Sequence, residues 1–218
     1  MGKESKEMKK KLFVIGSLFV ALVVGCVVFV NKIGISMEQE GRISVAWWTG
    51  VDFSFTVYDE YVTADACTKE GIEKITIPDT IWGKPVKMVR ETFCKYTVNP
   101  KEVEIGKNIE IIGTMAFYGC IDLKYVCGGE NVREVGDLAF YECSILESVE
   151  FGGNLESIGQ HAFEGCVMLK TLDTSDALMS VEYCAFANSG IKEIYIPDTA
   201  IIEKDAFRNT VLMKMQGE

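Results

Sequence analysis

Six phenylalanines divide the C-terminal two-thirds of the chain into near-equal lengths. Phe93, Phe117, Phe140, Phe163, Phe186 and Phe207 stand 24, 23, 23, 23 and 21 residues apart, and the last five each follow an alanine, at Ala116, Ala139, Ala162, Ala185 and Ala206. Thr92 holds that place before the first. A unit this short cannot bury its own apolar face and gains a core only by stacking on its copies, so the chain is constrained to a solenoid and not a globule.

The whole unit recurs around each phenylalanine. Five positions earlier stands Met88, Ile112, Val135, Ile158, Val181 or Ile202. Three positions later the middle units carry Cys120, Cys143 and Cys166, and six positions later Leu123, Leu146 and Leu169. Each leucine opens a strand-like pattern: Leu123-x-x-Val126, Leu146-x-x-Val149-x-Phe151, Leu169-x-x-Leu172 and Ile191-x-x-Ile194-x-Ile196, with an earlier copy in Ile72-x-x-Ile75-x-Ile77. The alternation at its end is that of a strand with one buried side. Gly106, Gly128-Gly129, Gly152-Gly153, Pro78-Asp79 and Pro197-Asp198 then turn the chain. The segment around each Ala-Phe is long enough for only about one or two helical turns. With coils stacked about 4.8 Å apart, six coils make a body about 25 Å long.

The stretch Ile158-Gly159-Gln160-His161-Ala162-Phe163-Glu164-Gly165-Cys166-Val167-Met168-Leu169-Lys170-Thr171-Leu172 resembles the BspA-type leucine-rich repeat. The lead-in Ile75-Thr76-Ile77-Pro78, followed by Gly83-Lys84-Pro85-Val86, resembles that family's usual first turn, and the resemblance runs from about residue 52 to 210. It implies an α/β fold: a right-handed leucine-rich-repeat solenoid of about six turns, with short strands and short helical or irregular segments. It also implies a protein outside a bacterial or protist cell that acts by binding. A family of this kind does not name a ligand.

Leu12 to Val30 are 19 residues without a charge. As a helix they measure about 29 Å, close to the bilayer core of about 30 Å. Lys3, Lys6, Lys9, Lys10 and Lys11 precede them against Glu4 and Glu7, which places the N-terminus in the cytoplasm and the repeats across the membrane. An uncleaved signal anchor is favoured, because the apolar run exceeds the usual signal-peptide core and no good small-x-small site follows. A lipoprotein signal ending at Cys26 and a cleaved signal are the other readings. The expected organisation is a basic cytoplasmic segment (1–11), a transmembrane anchor (12–30), a juxtamembrane segment with a β cap (31–70), the solenoid (71–212) and a polar tail (213–218).

In the segment 31–70, Val51-Asp52-Phe53-Ser54-Phe55-Thr56-Val57 alternates as a strand does, and Trp47-Trp48, Tyr58 and Tyr61 add aromatic surface. A cap is expected there, because the end coil of a solenoid otherwise exposes its apolar ladder. An interfacial or partner-binding role for Trp47-Trp48 is the rival. At the other end only Val211-Leu212-Met213 follows the last repeat, as a shield or as an open edge suited to self-association.

Beyond residue 31 lie 30 of the 32 acidic and 17 of the 22 basic residues, a net charge of −13. This disfavours nucleic acid or an anionic lipid surface as partner. Seven cysteines follow Cys26, at 67, 94, 120, 127, 143, 166 and 184. Cys120, Cys143 and Cys166 share a repeat position that Ser189 and Thr210 occupy later, which fits small buried residues better than disulfides or zinc, and no C-x-x-C occurs.

His161, the single histidine, sits two before Phe163 in a slot filled elsewhere by Glu91, Met115, Leu138, Cys184 and Asp205. A variable slot is poor support for nucleophilic catalysis, which needs a base oriented beside a nucleophile. No phosphate-loop, dinucleotide, nucleophile-elbow or zinc-protease motif is present. Neither an enzyme nor a cofactor or metal is expected.

If the strands stack in register, one outward column reads Thr76, Glu104, Cys127, Glu150, Asp173, Tyr195 and the next Lys74, Glu102, Tyr125, Ser148, Thr171, Glu193. The candidate binding face is therefore Glu104, Tyr125, Glu150, Asp173 and Tyr195, an acidic strip with two tyrosines suited to a basic peptide or protein. A plain solvated face explains the same residues. The expected role is recognition of a protein or peptide, in adhesion or cell contact. The alternative is a scaffold that binds another protein of its own envelope.

Overall fold

The computed structural model describes residues 34–37, 42–46, 52–67, 71–94, 98–210 and 214–216. The expectations for Leu12 to Val30, Cys26, Trp47-Trp48 and Val211-Leu212-Met213 lie outside these residues. Among the described residues no helix is long and apolar enough to cross a membrane.

Among the described residues eighteen strands occur in chain order: β1 (Gly34–Met37), β2 (Arg42–Ala46), β3 (Asp52–Val57), β4 (Val62–Cys67), β5 (Lys74–Thr76), β6 (Thr80–Ile81), β7 (Lys84–Val89), β8 (Glu102–Ile105), β9 (Ile111–Ile112), β10 (Tyr125–Gly128), β11 (Glu134–Val135), β12 (Ser148–Val149), β13 (Ser157–Ile158), β14 (Thr171–Leu172), β15 (Ser180–Val181), β16 (Glu193–Tyr195), β17 (Ile201–Ile202) and β18 (Lys214–Gln216). They form two sheets. The first runs β5-β8-β10-β12-β14-β16-β18, and the second β1-β2-β3-β4-β7-β9-β11-β13-β15-β17 with β6 beside β7. Each coil contributes one strand to the first sheet, turns, contributes one to the second, and returns through the Ala-Phe segment.

The inward positions are the apolar ones that the repeat places there. Ile75, Val103, Val126, Val149, Leu172 and Ile194 line the first sheet, and Val89, Ile112, Val135, Ile158 and Val181 the second, all buried. Between them the rings of Phe117, Phe140, Phe163, Phe186 and Phe207 stack with centroids 5.2, 5.2, 5.3 and 5.2 Å apart and planes within 9° of parallel.

The Ala-Phe segment is not helical, and the α/β expectation gives way to a β-solenoid across the described residues. Alternate amides go to different partners. Met115, Phe117 and Gly119 donate to the next coil at Asp137, Ala139 and Tyr141, each at 2.8 Å, whereas Ala116, Tyr118 and Cys120 close three-residue turns at 3.2 Å. A helix would spend every amide within its own chain segment, and the corner would then lose its bonds to the next coil. The alternation requires left-handed backbone twice per coil. Thr92, Met115, Leu138, His161, Cys184 and Asp205 adopt it at one position, and Gly119, Glu142, Gly165, Asn188 and Asn209 at the other. The second position holds mostly the residues that tolerate this region; the first does not. At Thr92, Met115, Leu138 and His161 the amide bonds to the neighbouring coil, which helps to hold the backbone there.

The first beat of the repeat is one residue out of step. Val89, not Met88, pairs with Ile112. Cys94 donates to Ala116 as Phe117 donates to Ala139, so Cys94 occupies the backbone position of the later phenylalanines and Thr92, not Glu91, that of Met115. The Phe93 ring is nevertheless buried and meets Phe117 edge-on, at 5.9 Å and 68°.

A second ladder lies on the turns between the sheets. Asn108, Asn131 and Asn154 donate their side-chain amides to the carbonyls of Asp79, Lys107 and Glu130 in the preceding coil, at 3.0, 2.8 and 2.7 Å. The expected cap is an antiparallel meander of β1 to β4, and β4 pairs in parallel with β7. At the other end, β18 extends the first sheet from within the stretch read as a polar tail. The thiols of Cys143 and Cys166 donate to the carbonyls of Phe117 and Phe140 at 3.2 and 3.1 Å, and Cys94, Cys120, Cys127, Cys143, Cys166 and Cys184 are free of disulfides.

Replacing Phe140 with alanine removes the middle of the stack, and urea unfolding should show a loss of about 3–5 kcal/mol. Gly128 and Gly153 separate two costs, because both have positive φ, +84° and +78°, but only at Gly128 would a Cβ meet a backbone oxygen, that of Ile105 at 2.3 Å. Gly153→Ala should cost about 1 kcal/mol and Gly128→Ala more than about 2 kcal/mol.

Candidate binding face

The outward residues of the first sheet follow from the period-2 alternation of its strands, with one buried residue between two that face out. Lys74 pairs with Glu102, Glu102 with Tyr125, Tyr125 with Ser148, Ser148 with Thr171 and Thr171 with Glu193. In the neighbouring column Thr76 pairs with Glu104 and Glu104 with Cys127. Glu150 continues it, its amide bonded to Val126 at 2.9 Å. Asp173 and Tyr195 stand one residue beyond the paired Leu172 and Ile194, so the five candidate residues share one side of one sheet.

They are not equivalent. Lys74 reaches Glu102 at 2.6 Å and Glu104 at 3.3 Å, and the Thr76 hydroxyl donates to Glu104 at 3.1 Å. Hydrogen bonds to these two carboxylates push the Lys74 ammonium above its ordinary value. At the far end the Tyr195 hydroxyl donates to Asp176, which raises its pKa, and Thr174 donates to the Tyr195 carbonyl. Between these flanks Tyr125 is 44% exposed, and Glu150 and Asp173 are exposed with no ion pair among the described residues. The centre of the strip is thus its exposed part, without an ion pair among the described residues.

A column of lysines borders the strip, a feature the strand pattern alone did not reveal. The amides of Lys124, Glu147, Lys170 and Lys192 bond in turn to the carbonyls of Lys101, Lys124, Glu147 and Lys170, stacking these residues along the shoulder of the face. Glu147 lies 3.4 Å from Lys124 and 4.0 Å from Lys170. The 23-residue recurrence of a charged residue just before each strand was the available signal. The face therefore presents acid at its centre and, along one margin, a lysine-rich column in which Glu73 holds Lys101 at 2.6 Å and Glu147 lies between Lys124 and Lys170.

The other polar sites carry less. His161 sits in the left-handed slot with its Nδ1 on Glu164 and its ring edge-on to Tyr183 at 5.4 Å. Glu164 also accepts from Asn188 at 3.1 Å and lies 3.6 Å from Arg208, so this group links three coils through charge and hydrogen bonding. On the second sheet a depression of about 130 Å³ is floored by Gly136 and Gly159 and edged by Glu134, Asp137, Ser157 and Glu182. Burial, then Asp137 and Glu203, push the Glu182 carboxyl above the usual range.

Cys127, half-buried on the candidate face, reports the local field. Burial raises its pKa first, Glu102 and Glu104 raise it further, and Lys74 opposes them. The thiolate is the reactive form, so alkylation at pH 8 should be slower at Cys127 than at a free cysteine. Glu102→Gln with Glu104→Gln should speed it about threefold. Peptide mapping by mass spectrometry reads the rate, and the difference should vanish once the pH lies well above both thiol values.

The fold has known counterparts. It resembles the Treponema pallidum leucine-rich repeat protein, with a TM-score of 0.61 and 21% identity over 70% of this chain and 79% of that one. A leucine-rich cell surface protein from Faecalibacterium prausnitzii aligns with a TM-score of 0.52 and 21% identity, over 83% of this chain and 55% of that one. The pneumococcal vaccine antigen PcpA aligns with a TM-score of 0.56 and 22% identity, over 81% and 48%. The chain thus spans about half the length of the latter two, and at these identities the likeness is one of fold. No curated protein matches the sequence. The model of the BspA-type leucine-rich repeat region matches residues 87–214 in six copies, over the same coils whose register is described above, and the chain belongs to that family.

Proposed function

We propose that this protein is a membrane-anchored, surface-exposed binding protein that recognises another protein noncovalently, in adhesion or cell contact. The observation that carries the reading is the repeat-built face, on which Tyr125, Glu150 and Asp173 stand exposed between two partnered flanks. Tyrosine supplies contact area at low entropic cost, and unpaired carboxylates select for basic groups while the lysine margin sets the partner's orientation. Family membership supports recognition in general, since leucine-rich repeats commonly mediate protein interactions. The outward placement is supported by the Leu12 to Val30 segment, by the lysines before it, and by one structural neighbour's description as a cell surface protein.

The full chain, solubilised in mild detergent, is the bait for the test. Proteins it captures from host matrix or foreign cells should bind about tenfold more weakly after Glu150→Lys with Asp173→Lys. Unchanged binding removes the face from consideration, and capture of only its own envelope proteins points to the scaffold role. Alkaline extraction of membranes should leave the chain in the pellet, and its release by alkali would refute the anchor.

A further inference from the structure

The capped end of the solenoid carries a second group of exposed side chains, apart from the sheet face. β6 and β7 are joined by the two residues Trp82 and Gly83, with φ of 51° and 78°. Positive φ at both central residues marks a hairpin turn normally built from asparagine, aspartate or glycine. A bulky residue in this region is an outlier, and Trp82 is 56% exposed, so neither turn geometry nor core packing calls for an indole. A residue kept in an unfavourable conformation with its ring in solvent points to use of that ring.

The register brings a second turn beside it. Val57 pairs with Val62, and Val62 with Val86, so the Tyr58–Tyr61 turn and the Trp82-Gly83 turn leave the second sheet at the same end. Lys84 ties them together by donating to the Tyr58 carbonyl. The Tyr58 and Tyr61 rings stack at 4.6 Å and 19°, each residue 40% exposed. Asp59 and Glu60, between them, are exposed and form no ion pair among the described residues.

We infer that these two hairpin tips form a contact surface for an arginine-bearing segment of a partner protein. A guanidinium is planar and always charged; it stacks on aromatic faces and pairs with carboxylates through two parallel hydrogen bonds. Three exposed rings and two unpaired carboxylates at one end of a sheet supply both halves of that recognition. The net charge of −13 beyond residue 31 draws cations toward the surface, an attraction that an uncharged sugar would not share. Lysine fits less well, since its compact ammonium cannot stack as a plane.

Fluorescence anisotropy of labelled hexa-arginine, titrated with the full chain in detergent micelles, tests this. Hexa-arginine should bind at least about tenfold more tightly than hexa-lysine at matched salt. Trp82→Asn should weaken binding about tenfold while raising the melting temperature, because asparagine suits the turn. Asp59→Asn with Glu60→Gln should weaken binding and flatten its salt dependence, and this pair serves as the test if Trp82→Asn fails to fold. Glu130→Gln with Glu134→Gln, exposed carboxylates away from both the tips and the sheet face, should leave any loss at or below about twofold. The inference is overturned if hexa-arginine affinity survives both tip variants. It is equally overturned if the Glu130→Gln, Glu134→Gln control alone abolishes binding, or if cellohexaose binds in a Trp82-dependent way and hexa-arginine does not.

Discussion

Each coil of this protein is held to the next at the phenylalanine corner, where alternate amides close a local turn or reach the neighbouring coil. That division of the backbone excludes a helix, forces two left-handed residues into most coils, and sets adjacent coils at a separation that lets the rings stack. The two sheets depend on it. Many of their strands are only two residues long, too short to be stable alone, and they stay in register because the corner fixes the distance from each coil to the next. The asparagine ladder at the opposite turns repeats the principle with side chains, each satisfying a carbonyl of the coil before it.

A scaffold repeated this regularly leaves specificity to the positions that the stacking does not constrain. On the first sheet these are the outward columns, where the ends are tied down by Lys74 and Asp176 and the centre is open. The cap is different in kind. Its strands are antiparallel and its turns project from the end of the sheet, so it can display aromatic rings away from the coil axis. Trp82 illustrates the tension between stability and use, since a smaller polar residue would fit the turn better.

The sequence made much of this legible because burial and repetition leave a strong mark. The columns Lys74 to Glu193 and Thr76 to Glu104 were readable because strand alternation and a constant period leave no freedom in which residues face out. The cap was readable from the alternation around Phe53 and Phe55 together with the need to cover an end coil. The helical expectation at Ala-Phe was not sustained, because an apolar pair followed by cysteine is compatible with either a helical turn or a stacked β-turn. The side chains do not record which amides bond within the coil and which between coils. Phe93 misled for a related reason. The backbone keeps a 23-residue step there through Cys94, while the ring one position early still reaches the same core.

The solenoid, the number of its coils, the buried ladders and the residues that face outward can all be read along the chain, because each follows from periodic burial. Which of those outward residues are engaged is set only in the folded molecule. The ion pair of Lys74 with Glu104, the bond from Tyr195 to Asp176 and the meeting of the Tyr58–Tyr61 and Trp82-Gly83 turns join residues 19 to 30 apart, through side-chain reach and strand register. Such contacts depend on distances of a few ångströms between neighbouring coils, and no local pattern in a chain encodes them.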